Sequence, residues 1–417
     1  MFAFGLNFEI TGATLADIAL HTQTSFHYVS YGIVIRTIAY AIGALFAGWI
    51  YDRFNRQLGF VIALATAAAT SLCIPYQTNI MTYFVSLLVV GLAAGSMDVA
   101  SSAWILELWE TSANPYMQAS QLAYAVGQAL IPVLSSPFLS DADEDLMIVK
   151  LFQKSFGMED WDSLIVVPYT FAAAFGFIAV TVLLTLYFWI PYEHFARSLV
   201  KTGDPERAST SKSTSSDSLY HLIDHKETPS QYHKLVVVLG CLLICFYNGI
   251  ELNCLNFVPT FVIHLEVPIS KSRAALMLST LSASYAGSRA SCVFFGRIVS
   301  SQNMLYFCMI LIGIGNSLLL MFSNDCELMI WVSLIIMGSG MGPMAPALLS
   351  FMEERVNVNN NLSGWLMFSS NVSVIVNSLV IGHLIESIPV VFVYINLISW
   401  TCCAMTFVAL YFNDRRQ

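Results

Sequence analysis

Six charged residues stand inside otherwise apolar stretches of the chain: Glu9, Asp17, Arg36, Asp98, Glu251 and Arg289. A charge at mid-bilayer costs at least about 2.5–3.5 kcal/mol on insertion scales, so each needs a partner or a purpose. Four acids face two bases, which leaves at least two carboxylates without an intramembrane Arg or Lys. A proton, a hydrated cavity or a bound cation must then meet them, and this is the chemistry of ion coupling. The structural alternative is that Arg36 and Arg289 form salt bridges while the remaining acids line water.

The amides form a second group. Gln118, Gln121 and Gln128 recur at helical steps on one face. Amide side chains present paired donors and acceptors suited to the vicinal hydroxyls of a sugar. Interhelical amide bonding, worth about 0.6 kcal/mol each, is the plainer use. Asn248 shares a face with Glu251, shortly before Pro259. Gly91, Gly95, Asp98 and Ser102 also follow one face, so the glycines permit close helix packing and Asp98 projects toward the bundle interior. Trp104 is a candidate to stack on a sugar ring, with packing as the competing role. Gly338, Gly340, Gly342, Pro343 and Pro346 predict a bend.

The elements that carry these residues follow from composition. Of 417 residues, 57% are hydrophobic and 11% charged, against about 25% charged in a soluble domain. Lipid must therefore face most of the protein. Spanning helices need about 20 mostly apolar residues, and such runs lie near 1–20, 28–51, 58–75, 80–106, 116–139, 164–190, 234–263, 273–299, 303–322, 327–350, 362–385 and 388–412. The first run carries Glu9 and Asp17, unlike a signal-peptide core, and reads as a spanning helix. The sequence thus predicts an all-α polytopic membrane protein of twelve transmembrane helices.

The polar, Ser-rich stretch 191–233 reads as a disordered cytosolic linker. It divides the chain into an N-terminal six-helix bundle, 1–190, and a C-terminal one, 234–417, related by pseudo-symmetry. Most of the 18 Lys and Arg fall in loops on one side if both termini are cytosolic. No spacing suits a metal among the nine Cys, and neither a nucleotide-binding loop nor a nucleophile with its base is evident. An enzyme, an ATP-driven pump and a nucleic-acid partner are not expected. The plasma membrane is the expected location and a monomer the expected state, with no cofactor beyond a coupling ion.

Between the second and third runs the chain reads Gly48-Trp49-Ile50-Tyr51-Asp52-Arg53-Phe54-Asn55-Arg56. This resembles the G-x-x-x-D-R-x-x-R signature of the major facilitator superfamily. Gly48 allows close helix approach, and Asp52, Arg53 and Arg56 form a charge cluster suited to a cytosolic gate.

Further stretches resemble the fucose–proton symporter family and its animal branch, the sodium-dependent glucose transporter 1-like proteins. They are Leu15-Ala16-Asp17-Ile18, then Gly95-Ser96-Met97-Asp98 with Ile105-Leu106-Glu107-Leu108-Trp109 and Pro115-Tyr116-Met117-Gln118-Ala119, then Tyr247-Asn248-Gly249 with Glu251, and Gly287-Ser288-Arg289-Ala290. The resemblance implies the major facilitator fold and a glucose-like monosaccharide carried by alternating access with sodium or a proton. It implies cation coupling at Asp17, Asp98 and Glu251, with sodium possible at Asp17 and Asp98. Sugar contacts are implied at Gln118, Gln121, Asn248, Glu251 and Trp104, and charge pairing at Arg36 and Arg289. Val99-Ala100-Ser101-Ser102 and Leu252-Asn253-Cys254-Leu255 depart from the family's usual residues. An uncoupled carrier, or a receptor that kept the fold, are the alternative readings.

Overall fold

The computed structural model describes residues 1–109, 113–140, 164–189, 230–295, 299–355 and 360–414. Twelve long helices account for nearly all of these residues. They are α1 (Phe2–His21), α2 (Phe26–Arg53), α3 (Arg56–Cys73), α4 (Ile80–Trp109), α5 (Ala113–Ser135), α6 (Val166–Trp189), α7 (Ser230–Ile263), α8 (Lys271–Phe295), α9 (Ser301–Phe322), α10 (Glu327–Glu353), α11 (Asn360–Leu384) and α12 (Val391–Asp414). Backbone groups in hydrocarbon must be satisfied within the segment, so long apolar runs become helices. Turns end them where polar caps become available. The Asn55 side chain accepts from Leu58 N to start α3, and Ser300 accepts from Asn303 N to start α9.

Eight of the described helices are long and apolar enough to cross a membrane by composition. The full lengths of α1, α5, α8 and α11 are not among them. These four carry much of their polarity where they meet other helices rather than lipid. The apolar exterior is explicit elsewhere, for example at Leu45, Met81, Val85, Phe188 and Met321, each more than half exposed. A water-soluble surface does not carry so continuous an apolar cover. The protein is a multi-pass membrane protein.

Helix pairing repeats with a shift of six. The α1–α5, α1–α6, α2–α4, α3–α4 and α3–α6 contacts recur as α7–α11, α7–α12, α8–α10, α9–α10 and α9–α12. The two sets meet through α1 with α7, α2 with α11 and α5 with α8. The linker expected at 191–233 lies outside the described residues up to 229, and its last four residues begin α7 instead.

Small residues set the closest approaches. A side chain at Gly91 would meet the Arg36 carbonyl, and one at Gly95 the Tyr40 carbonyl, so α4 lies directly on α2. The same device recurs at Gly338 and Gly342, which press on the Leu281 and Tyr285 carbonyls of α8. The α10 stretch where a bend is expected is assigned as one unbroken helix with Pro343 and Pro346 inside it, and its glycines serve packing. Replacing Gly95 by leucine should cost about 1–3 kcal/mol or more through overpacking. Its measure is a lowered thermal midpoint of the purified protein in detergent.

Candidate functional site

The two bundles close on each other at one rim, where α1, α5, α7 and α11 end and α2 and α8 begin. There Lys271 Nζ lies 2.8 Å from Asp17 Oδ1 and 2.6 Å from Ser140 Oγ. Ser140 donates to Asp17 through its hydroxyl at 2.8 Å and its backbone N–H at 3.0 Å. Asp17 is fully buried. Nearby, Ser136 Oγ and Ser272 Oγ are 2.6 Å apart, Phe26 N donates to Glu386 Oε1 at 3.2 Å, and the His27 and His383 rings cross at 4.7 Å. Each of these joins the two halves.

Away from this rim the halves part. Ala283 and Gly287 on α8 are exposed, and a side chain added at Gly287 would touch nothing within 4 Å. The hydrogen bonds that join the halves lie between the closed rim and the level of Arg36, and toward the rim that holds the α2–α3 loop none is found among the described residues, so the halves open on that side. Arg53 closes α2 exposed and Arg56 opens α3 half-buried, while the burial of Gly48 and the side chain of Asp52 lie outside what the structure describes.

Between the closed rim and the opening lies a belt of polar groups drawn from both halves. Arg36, 2% exposed, donates Nη1 to Phe8 O at 2.8 Å and Nη2 to Asn256 Oδ1 of the other half at 2.7 Å. Its guanidinium also lies 4.2 Å from the Phe8 ring centroid, a favourable cation–π placement. Beside it, Glu9 is buried and accepts from Gln128 Nε2 at 3.3 Å. Farther toward the opening, Tyr40 donates to Asp98 Oδ2 at 2.7 Å. On the facing bundle, Arg289 Nη1 donates to Tyr285 OH at 2.8 Å, and Tyr285 OH donates to Glu251 Oε1 at 2.9 Å. Asp98 and Arg289 sense each other across the gap electrostatically.

The structure separates residues that the sequence grouped. Asp17 stands about one turn from the end of α1, whereas Asp98 lies 18 residues, roughly 27 Å, from the start of α4 at the same rim. One sodium ion does not bridge them in this conformation, and Asp17 is held by Lys271 and Ser140 instead. The reason is remote in sequence, since Lys271 sits 254 residues away at the head of a helix that reads as a loop edge. Arg36 pairs with an amide and a carbonyl, not with an acid, and Arg289 reaches Glu251 only through Tyr285. Trp104 packs against Phe60 of α3, with ring centroids 6.1 Å apart, rather than joining the central belt.

Other expected residues do line or approach the opening. Glu251 and Asp98 are half-buried in the belt. Gln118 and Gln121 are half-buried on the face of α5 that carries Gln128, displaced toward the open rim. Asn248 is half-buried and donates to Ser370 O of α11 at 2.9 Å. Sequence reasoning missed Tyr40, Tyr285, Lys271 and Ser140. The two tyrosines stand at equivalent places in the two halves, each with its carbonyl pressed by the second glycine of a pair spaced by four, Gly95 and Gly342.

Such a belt offers hydroxyls, amides and carboxylates to a small polyhydroxylated solute, with cationic groups held close to the acids. Hydrogen-bonding groups of that kind suit a ligand that must be bound and then released, since each is also at home in water.

The comparisons agree with this architecture. The family described as Major Facilitator Superfamily matches residues 1–378. The sodium-dependent glucose transporter 1 of Xenopus laevis is 22% identical over 406 residues, spanning 96% of this chain and 78% of its own. The Homo sapiens protein of the same name is 22% identical over 98% of this chain and 76% of its own. Major facilitator superfamily domain-containing protein 4A of Xenopus tropicalis is 24% identical over 144 residues, 34% of this chain and 28% of its own. Among solved structures, the partially occluded inward-open xylose transporter XylE from E. coli superposes with a TM-score of 0.71 at 12% identity, covering 98% of this chain and 94% of that one. With its helix pairing, its signature loop and a match over most of its length, the chain belongs to the major facilitator superfamily.

Proposed function

We propose that the protein is a secondary transporter that moves a glucose-like monosaccharide by alternating access, driven by a sodium or proton gradient. The observation that carries this reading is the belt of carboxylates, tyrosines and amides shared by the two halves, closed at one rim and open at the other. The names of the full-length relatives point to the same substrate class and to an ion as driving partner. Transporter folds built from repeated halves bind solute near the midplane between them and move one half against the other.

In this reading the open rim is cytosolic, both termini lie in the cytosol and the plasma membrane is the site of action. The excess of Lys and Arg in the loops of that side supports the orientation. Gln118, Gln121, Asn248 and Glu251 contact the sugar. Asp98, held by Tyr40 and facing Arg289, carries the coupling charge, and Asp52, Arg53 and Arg56 gate the cytosolic side. Asp17 belongs to the opposite gate.

Asp98→Asn keeps the hydrogen bond from Tyr40 and removes the charge. Purified into liposomes, this variant should lose accumulation of labelled glucose above equilibrium, by at least about tenfold, while inserting normally. Unimpaired concentrative uptake would remove Asp98 from the coupling role. An uncoupled carrier is the competing reading, favoured by the neutralisation of Asp17 by Lys271. It would show glucose exchange with no accumulation under any gradient.

A further inference from the structure

Two histidines from different halves meet at the closed rim, outside the central belt. His27 lies in the first turn of α2 and His383 in the last turn of α11, and their rings cross at 4.7 Å and 81°. The helix backbones fix this approach. Ser30, one turn into α2 from His27, packs against Gly382, where any side chain would strike the Ser30 hydroxyl. Ser30 Oγ in turn donates to His27 O at 2.8 Å. The two imidazoles are therefore carried on rigid helices pressed together beside them.

An imidazole pair of this kind has two physical uses. One is an edge-to-face ring contact, for which centroid distances of about 4.5–7 Å are usual. The other is a shared metal: two imidazoles on one tetrahedral zinc, with bonds of about 2.0–2.1 Å, place their centroids roughly 5 Å apart. The observed spacing satisfies both, and the neighbouring groups favour the second. His27 Nε2 lies 3.0 Å from Tyr31 OH, the kind of outer partner that fixes the tautomer of a metal-binding histidine. Among the described residues, no hydrogen bond reaches His27 Nδ1 or either nitrogen of His383. Each ring thus keeps a nitrogen for a ligand. Glu386 follows His383 by three residues on the same side of α11, and its Oε1 accepts from Phe26 N beside His27. His383 and Glu386 are exposed and His27 half-buried, so the pair is open to water at the rim.

We propose that His27 and His383 form a zinc-binding clasp between the halves, completed by water or by Glu386 turned toward the ion. Neutral imidazoles suit zinc and similar transition ions, whereas magnesium and calcium take oxygen ligands. In this conformation the two rings meet alone, since among the described residues no three His, Cys, Asp or Glu side chains gather as a metal cluster. A site with two protein ligands suits an ion that arrives and leaves, unlike the closed four-ligand shell of a structural zinc.

Its effect follows from where the ligands stand. One comes from each half, so the ion binds both only while this rim is closed. A ligand that binds one conformation alone stabilises it by mass action. Zinc therefore holds the protein with this rim shut and the opposite one open. Its action as a brake on transport rests on the alternating-access function proposed for the protein, whereas the binding does not.

The test uses the purified protein in lipid nanodiscs with zinc chloride and no sugar. Calorimetry should show saturable zinc binding with a raised thermal midpoint, and magnesium or calcium should give neither. Outer partners alone change metal affinity by about 10–100-fold, so His27→Ala and His383→Ala should each weaken zinc binding by at least about tenfold. His264→Ala, whose ring neighbours Phe26 instead, should leave it unchanged. His383→Cys supplies a thiolate and should keep zinc while gaining affinity for cadmium, which a mere packing role for the ring does not give. That variant also reports where an alanine variant fails to fold. Absence of saturable binding overturns the proposal, as does equal binding in the wild type, His27→Ala and His383→Ala, which would assign the ion to the cysteines. In proteoliposomes, zinc should slow glucose uptake and a chelator should restore it. Zinc that binds the clasp yet leaves uptake unslowed overturns the brake. Absence of uptake under every condition would sink the transport reading and leave the binding result standing.

Discussion

Replacing Lys271 by methionine should open the rim that Asp17 closes. The ammonium is 22% exposed and the carboxylate fully buried, so the pair sits at the very edge of the contact between the halves. Removing one partner of a buried pair costs about 3–5 kcal/mol because the other charge is left unbalanced. Here the molecule has an escape that a static core lacks: parting the halves returns Asp17 to water. The conformational equilibrium should therefore shift by at least about 100-fold toward the state open at this rim.

Ser30 offers the readout. It is fully buried against Gly382 of the other half, so a cysteine introduced there in a background without reactive cysteines reports the opening. A membrane-impermeant maleimide should label Ser30→Cys at a comparably higher rate when Lys271→Met is added. Adding Asp17→Asn should return most of the difference, since no buried charge then drives the rim apart. Equal labelling with and without Lys271 would make the ion pair a passive contact.

The second large effect is expected at Arg36. Its two hydrogen bonds, to Phe8 O and Asn256 Oδ1, diverge from one planar guanidinium that also lies on the Phe8 ring. An ammonium is a compact point charge on a flexible stem and does not reproduce a planar fork stacked on an aromatic face. Arg36→Lys should thus lower the rate of glucose uptake by about 100-fold or more, the equivalent of losing a charged hydrogen bond and a buried cation–π contact. Asn256→Ala should cause a smaller loss, because the contact to Phe8 survives. Near-normal uptake by Arg36→Lys would show that only the charge matters.

Much of the fold is legible in the sequence because the bilayer leaves so few options. A run of apolar residues long enough to span must be a helix, and most of the helix ends expected from the runs fall within a few residues of those observed. Gly91 and Gly95 were readable for the same kind of reason, since glycines four apart on an apolar helix have packing as their main use. That Asp98 turns inward followed from its place on their face.

The pairings were not legible, because each depends on a residue brought from another helix. Nothing near Leu15-Ala16-Asp17-Ile18 announces Lys271. Counting acids against bases suggested that Arg36 would hold a carboxylate, but an amide from α7 and a main-chain carbonyl satisfy it instead. Trp104 could stack on a sugar or on a neighbouring ring, and only the position of α3 decides for Phe60. Glu9 was visible as a charge in an apolar run, yet its one hydrogen bond comes from Gln128 of another helix, a pairing a sequence does not record.

The measurement that bears most directly on the account is uptake of labelled glucose into proteoliposomes under an inward proton gradient, an inward sodium gradient, or neither. Accumulation above equilibrium that requires one gradient is the predicted result. Absence of uptake under all three conditions would contradict the account and leave a membrane protein of this superfamily whose central belt serves another solute or none.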